Sequence, residues 1–137
     1  ATASASFTQA FSKIGLIPDS GGTWTLPRLI GLQRATALMM LSDKIPASEA
    51  SAMGMIWKTF PDDTFAEDSL KIAEILAQMP TQGLGLTKRA LNRAFSHDFA
   101  AQLTVEDELQ TAAGKTNDYK EGVSAFLEKR KPNFTGN

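Results

Sequence analysis

Asp19 stands in Pro18-Asp19-Ser20-Gly21-Gly22, directly after the apolar run Ile14-Gly15-Leu16-Ile17. A carboxylate there can serve either of two purposes. One is turn chemistry: Asp or Ser accepts a hydrogen bond from the open N–H groups of a helix start, and glycine permits positive φ. The other is acid/base work, with the carboxylate and helix N-terminal N–H groups at the mouth of an apolar pocket made by Ile14, Leu16, Ile17 and Trp24. Burial raises a carboxylate pKa, a helix N-terminus lowers it, and a proton shuttle needs the balance near the working pH. The local sequence leaves both readings open.

Other candidates weaken on inspection. His97 is the sole histidine, between Ser96 and Asp98 at a helix junction, with no companion for a metal and no nucleophile motif pointing to it. Gly83-Leu84-Gly85 follows a proline turn rather than a strand and lacks a third glycine, so it reads as a helix entry and not a dinucleotide fingerprint. Lys88, Arg89 and Arg93 form a modest basic face of the solvated kind. In "FLEKRKPNF", Phe126 precedes Arg130 by one helical turn with Lys129 and Lys131 beside it, a group that could grip a phosphate or close a helix C-terminus.

The totals narrow the classes. Fourteen Lys+Arg against 15 Asp+Glu give a net charge of -1, so no global field favours nucleic acid or anionic lipid. There is no cysteine, which excludes disulfides, thiolate zinc sites and thiol nucleophiles and fits a reducing compartment, the cytoplasm being the expected location. No apolar run approaches the roughly 20 residues that span a bilayer. The expectation is a soluble chain with no metal site, and its 137 residues suffice for one domain or a piece of one. The opening "ATASASFTQAF", without an initiator methionine, reads as a chain entered midway.

The elements that must position Asp19 follow from periodicity. Residues 3–11 alternate like a short strand, 23–31 and 32–43 carry helical spacing, and 45–55 suggest a helix closed near Gly54. The run 55–61, "MIWKTFP", is aromatic and β-branched and predicts a strand. Four helices follow: Asp63 to Met79, Gly83 to Ser96, Asp98 to Gly114, and Asp118 to Lys131, the last starting with an acid and ending in "EKRK" as the helix dipole favours. The predicted fold is mainly α with one or two strands.

Three stretches, "IGLIPDSGGTWTLPRLIG", "KIPASEASAMGMIWK" and "AGKTNDYKEGVSAFLEKRKPNF", in this order, resemble the C-terminal half of the crotonase (enoyl-CoA hydratase/isomerase) superfamily. The resemblance covers essentially the whole chain. It implies a C-terminal fragment of the family's α/β spiral fold, with 1–61 the end of the core and 62–137 a helical oligomerisation region of trimers or hexamers. It implies an acyl-CoA substrate, with coenzyme A part of the substrate and no separate cofactor. The residue at position 19 lines the family's active site; hydratases tend to have glycine there, while several isomerases have an acid/base aspartate.

Hydratases also keep a glutamate eight residues earlier, where this chain has Phe11. The likeness therefore points to an isomerase, in particular to those that turn a ring epoxide into an oxepin on coenzyme A during phenylacetate breakdown. It implies Asp19 as catalyst, Phe11, Leu16 and Trp24 in the acyl pocket, and Phe126 and Lys129 against coenzyme A. Backbone donors of the oxyanion hole would lie in the family's first half, so the isolated chain is expected to be inactive and to self-associate. The alternatives are an enoyl-CoA hydratase and a non-catalytic helical assembly module.

Overall fold

Gly31, at φ 84° and ψ 153°, occupies a backbone region essentially restricted to glycine, and it joins two helices with no loop between them. The helices are α1, Gly22–Ile30, and α2, Leu32–Leu41. Their contact gathers Leu26, Ile30 and Ala35 into a buried cluster, with Leu38, Met39, Met53 and Met55 packed against it. The computed structural model describes all 137 residues, in two units, Ala1–Ser69 and Leu70–Asn137.

In the first unit the expected strand over 3–11 shrinks to β1, Ser6–Phe7, which pairs antiparallel with β2, Ile45–Pro46, in the register Ser6 to Pro46 and Phe7 to Ile45. From Ala10 to Ile14 the chain coils into a 3-10 helix instead. The reason lies in the hydroxyls: Thr8 Oγ1 donates to the Ser42 carbonyl at 3.2 Å and Ser12 hydrogen-bonds the Ser42 hydroxyl, drawing this segment off the ladder. A short helix α3, Ala47–Ala52, buries Ala47 and Ala50 and is closed by Gly54 at φ 84°, as the sequence predicts.

No strand forms over 55–61. After Gly54 the N–H groups of Met55 and Ile56 both return to the Ala50 carbonyl, so the donors that a ladder needs are engaged locally. What is left is a single parallel bridge between Thr2 and Phe60, and Trp57 is 79% exposed.

Helix α4, Phe65–Ala77, crosses the boundary of the units and leaves Leu70, Ile75 and Leu76 exposed on its apolar stripe. In the second unit α5, Thr81–Ala94, packs on α6, Phe99–Ala113, which Asp98 caps by accepting the Ala101 N–H at 2.8 Å. Thr116 caps α7, Asn117–Leu127, through the Tyr119 N–H at 3.1 Å. That last helix stops four residues before the expected Lys131. Lys129 adopts φ 55°, and the N–H groups of Lys129 and Arg130 return to Phe126 and Ala125, a Schellman closure that places the basic run beyond the helix. No helix is long and apolar enough to cross a membrane.

Candidate functional site

The loop around Asp19 is a tight reverse turn. The Gly22 N–H donates to the Asp19 carbonyl at 2.8 Å, with Ser20 at φ 51° and Gly21 at φ 78° between them, the signs of a type I′ turn. The residue that starts α1 is Gly21, with no side-chain cap. The turn that the glycines permit is present, but Asp19 does not cap α1 with its side chain. Its carboxylate is exposed and accepts from Ser20 Oγ at 3.1 Å.

Around it the first unit presents apolar side chains outward. Ile17 is 80% exposed, Leu16 59% and Trp24 47%, so within this unit they make an open apolar face and not an enclosed pocket. The Arg28 guanidinium lies 3.9 Å from the centroid of the Trp24 ring and donates to the Trp24 carbonyl at 2.8 Å, which fixes the indole at the start of α1. Phe11 sits in the 3-10 helix, and its carbonyl accepts the Leu16 N–H at 3.0 Å, so these two predicted pocket residues share one turn. Gly15, at φ 75°, closes that turn and starts the run to Asp19.

Phe126 and Lys129 belong to the second unit. Phe126 is 82% exposed and lines a groove of about 480 Å³ with Pro80, Tyr119, Val123, Leu127 and Phe134; Lys129 lies outside that lining. Of the two roles open to the basic run, Arg130 takes a third. Its guanidinium grips both oxygens of Glu121, at 2.6 and 2.9 Å, and Glu128 at 2.6 Å. This pairing, with the Asn133 N–H at 2.8 Å, lowers the Glu121 pKa to about 2, and the same partners raise that of Arg130. Lys129 and Lys131 remain as the exposed cations nearest Phe126 in the chain.

Two groups of residues escape sequence reasoning. Asp118, 2% exposed, accepts the N–H groups of Thr135 and Gly136 at 2.7 and 2.9 Å and folds the C-terminal residues back on α7. Ser42, fully buried, ties α2 to the segment before Phe11. An acid at a helix start and a serine at a helix end are ordinary features of sequence, and nothing in their neighbours announces the tertiary partners.

The family described as Enoyl-CoA hydratase/isomerase matches residues 1–137. The chain is 50% identical over 136 residues to the 1,2-epoxyphenylacetyl-CoA isomerase of Escherichia coli (strain K12), covering 99% of this chain and 52% of that protein. It is 36% identical over 130 residues to the mitochondrial enoyl-CoA hydratase of Pongo abelii, covering 95% of this chain and 45% of the relative. The crystal structure of an enoyl-CoA hydratase from Bacillus anthracis superposes with a TM-score of 0.94 at 33% identity, covering 99% of this chain and 53% of that one. The chain spans about half the length of the relatives it matches. From its first residue to its last, it belongs to the enoyl-CoA hydratase/isomerase family.

Proposed function

We propose that the protein containing this chain is an acyl-CoA isomerase with Asp19 as its acid/base group, and that its substrate is 1,2-epoxyphenylacetyl-CoA, converted to the oxepin. The observation that carries the reading is the Asp19 carboxylate itself, exposed and free of capping duty on a tight turn whose flanking residues Leu16, Ile17 and Trp24 are also exposed. The 50% identity to the Escherichia coli isomerase supports the substrate. Phe11 supports isomerisation over hydration. Adding water needs one group to activate it and coordinated proton delivery to carbon, whereas moving protons or opening a strained ring can run with one shuttling acid.

Coenzyme A enters as part of the substrate. Phe126 would cover its adenine or pantetheine portion from the groove, and Lys129 would meet a phosphate as a point charge. The exposed apolar stripe of α4 and the faces left open in each unit suit burial in a homo-oligomer. The 137 residues alone are expected to be catalytically inactive.

Asp19→Asn in the protein containing this chain should cost at least about 10²-fold in kcat, the scale of a lost acid/base group, with KM little changed. Full activity in that variant would refute the catalytic assignment and favour an assembly role. The hydratase reading rests on relatives such as the mitochondrial enzyme. Hydration of a straight-chain enoyl-CoA faster than epoxide isomerisation would establish it.

A further inference from the structure

We infer that Ser42 is a positioning residue for the catalytic loop, acting through the 3-10 helix that carries Phe11; this rests on the reading of Asp19 as the acid/base group. Ser42 adopts φ 58° and ψ 33° at the end of α2, a left-handed conformation that is strained for an L-residue and that glycine adopts freely. A serine held there, wholly buried, has a use for its hydroxyl.

The hydrogen bonds show the use. Ser42 Oγ donates its one proton to the Gln9 carbonyl at 2.6 Å, so in its short contact with Ser12 the proton comes from the Ser12 hydroxyl. The result is a relay of order, Ser12 to Ser42 to Gln9, in which each bond polarises the next. Thr8 Oγ1 adds a bond to the Ser42 carbonyl, and the Ser42 N–H closes α2 on Leu38 at 3.1 Å. One residue thus holds positions 8, 9 and 12 to the end of a core helix. Beyond Ser12, the Leu16 and Gly15 N–H groups close the turn on Phe11 and Ser12, at 3.0 and 3.2 Å, and the chain runs directly to Asp19. A displacement of this helix would move Phe11 and the start of the Asp19 loop together.

The test uses Ser42→Ala, which removes the hydroxyl and keeps the strain, and Ser42→Gly, which removes both, with Asp19→Asn alongside, all in the protein containing this chain. A positioning role predicts that both Ser42 variants lose about tenfold in kcat with KM within about twofold, although Ser42→Gly is the more stable to urea. Amide exchange at Leu16 should accelerate about tenfold in both, with Gly31 and Ala35 unchanged. If activity follows stability, so that Ser42→Gly keeps the wild-type kcat, the inference is overturned. Unchanged exchange at Leu16 in Ser42→Gly would also overturn it. If Ser42→Ala does not fold, Ser42→Gly decides by the same two readouts. Full activity in Asp19→Asn would refute the acid/base reading alone, and Leu16 exchange would still judge whether Ser42 holds the turn.

Discussion

Replacing Asp118 by alanine should release the C-terminal residues from α7 while leaving the helices folded. The carboxylate is 2% exposed and accepts two backbone N–H groups, from Thr135 at 2.7 Å and Gly136 at 2.9 Å. A hydrogen bond to a charged group contributes roughly 1.5–3 kcal/mol, so two give a gross loss of about 3–6 kcal/mol. Thr135 is exposed and Gly136 partly so, and their freed N–H groups can return to water, which places the net cost near the lower end, about 3 kcal/mol. Asp118→Asn should cost less, about 2 kcal/mol, because the amide oxygen keeps one of the two bonds, although its NH₂ faces the other N–H donor and leaves that one unpaired.

The readouts are urea denaturation of the protein and amide exchange at Thr135 and Gly136. Release also removes Phe134 from its seat, where a ring carbon lies 3.5 Å from the place a Cβ on Gly122 would occupy, and so dismantles one wall of the Phe126 groove. If Asp118→Ala loses under 1 kcal/mol and both amides stay protected, the carboxylate is not what holds this segment.

The other predictions concern the run between α7 and those final residues. Arg130 holds Glu121 at a folded pKa of about 2 against its ordinary 4.5, so this contribution is complete above pH 4.5 and fades as pH falls toward 2. Carboxyl NMR should place the Glu121 midpoint near the lower value, Glu121→Gln should remove the Glu121 share of the pH dependence in that window, and a midpoint above 4 would refute the clamp. Lys129→Gly should stabilise the chain by about 1 kcal/mol in urea, since glycine relieves the φ of 55°. If Lys129 meets a phosphate of coenzyme A, the same variant should weaken acyl-CoA binding severalfold, and unchanged affinity would remove Lys129 from the site.

The helices were legible because their signals are local. The apolar spacing of α4, α5 and α6, the stops at Pro80 and Gly114, and the close at Gly54 are written in neighbouring residues. The strands were not, because a ladder depends on where a partner's donors go. The run 55–61 has strand composition, yet Met55 and Ile56 bond back to Ala50 one turn away. Residues 8–12 likewise leave β1 for a serine 30 positions further along the chain. The end of α7 shows the same limit: "EKRK" suits a helix C-terminus by charge, but Arg130 reaches Glu121 only if the backbone turns at Lys129.

The site divides along the same line. Asp19 could be picked from its neighbours, since Pro18 before it and Gly21-Gly22 after it dictate a turn whatever lies beyond, and a turn with both central residues at positive φ fixes where the carboxylate emerges. What the neighbours could not decide was its duty, because a cap and an acid/base group ask for the same residue in the same place. The cap reading fell away once the start of α1 fell to Gly21, with no side chain engaged, and the acid/base role is the proposal made above. Ser42 is the converse case. Its identity as a serine looks incidental in sequence, and its backbone conformation gives it away: at a position where glycine would avoid the strain, a buried hydroxyl with two hydrogen-bond partners indicates that the bonds offset the strain. A residue that the chain keeps in a conformation it disfavours is therefore a better guide to the support of this loop than any residue type in the loop itself.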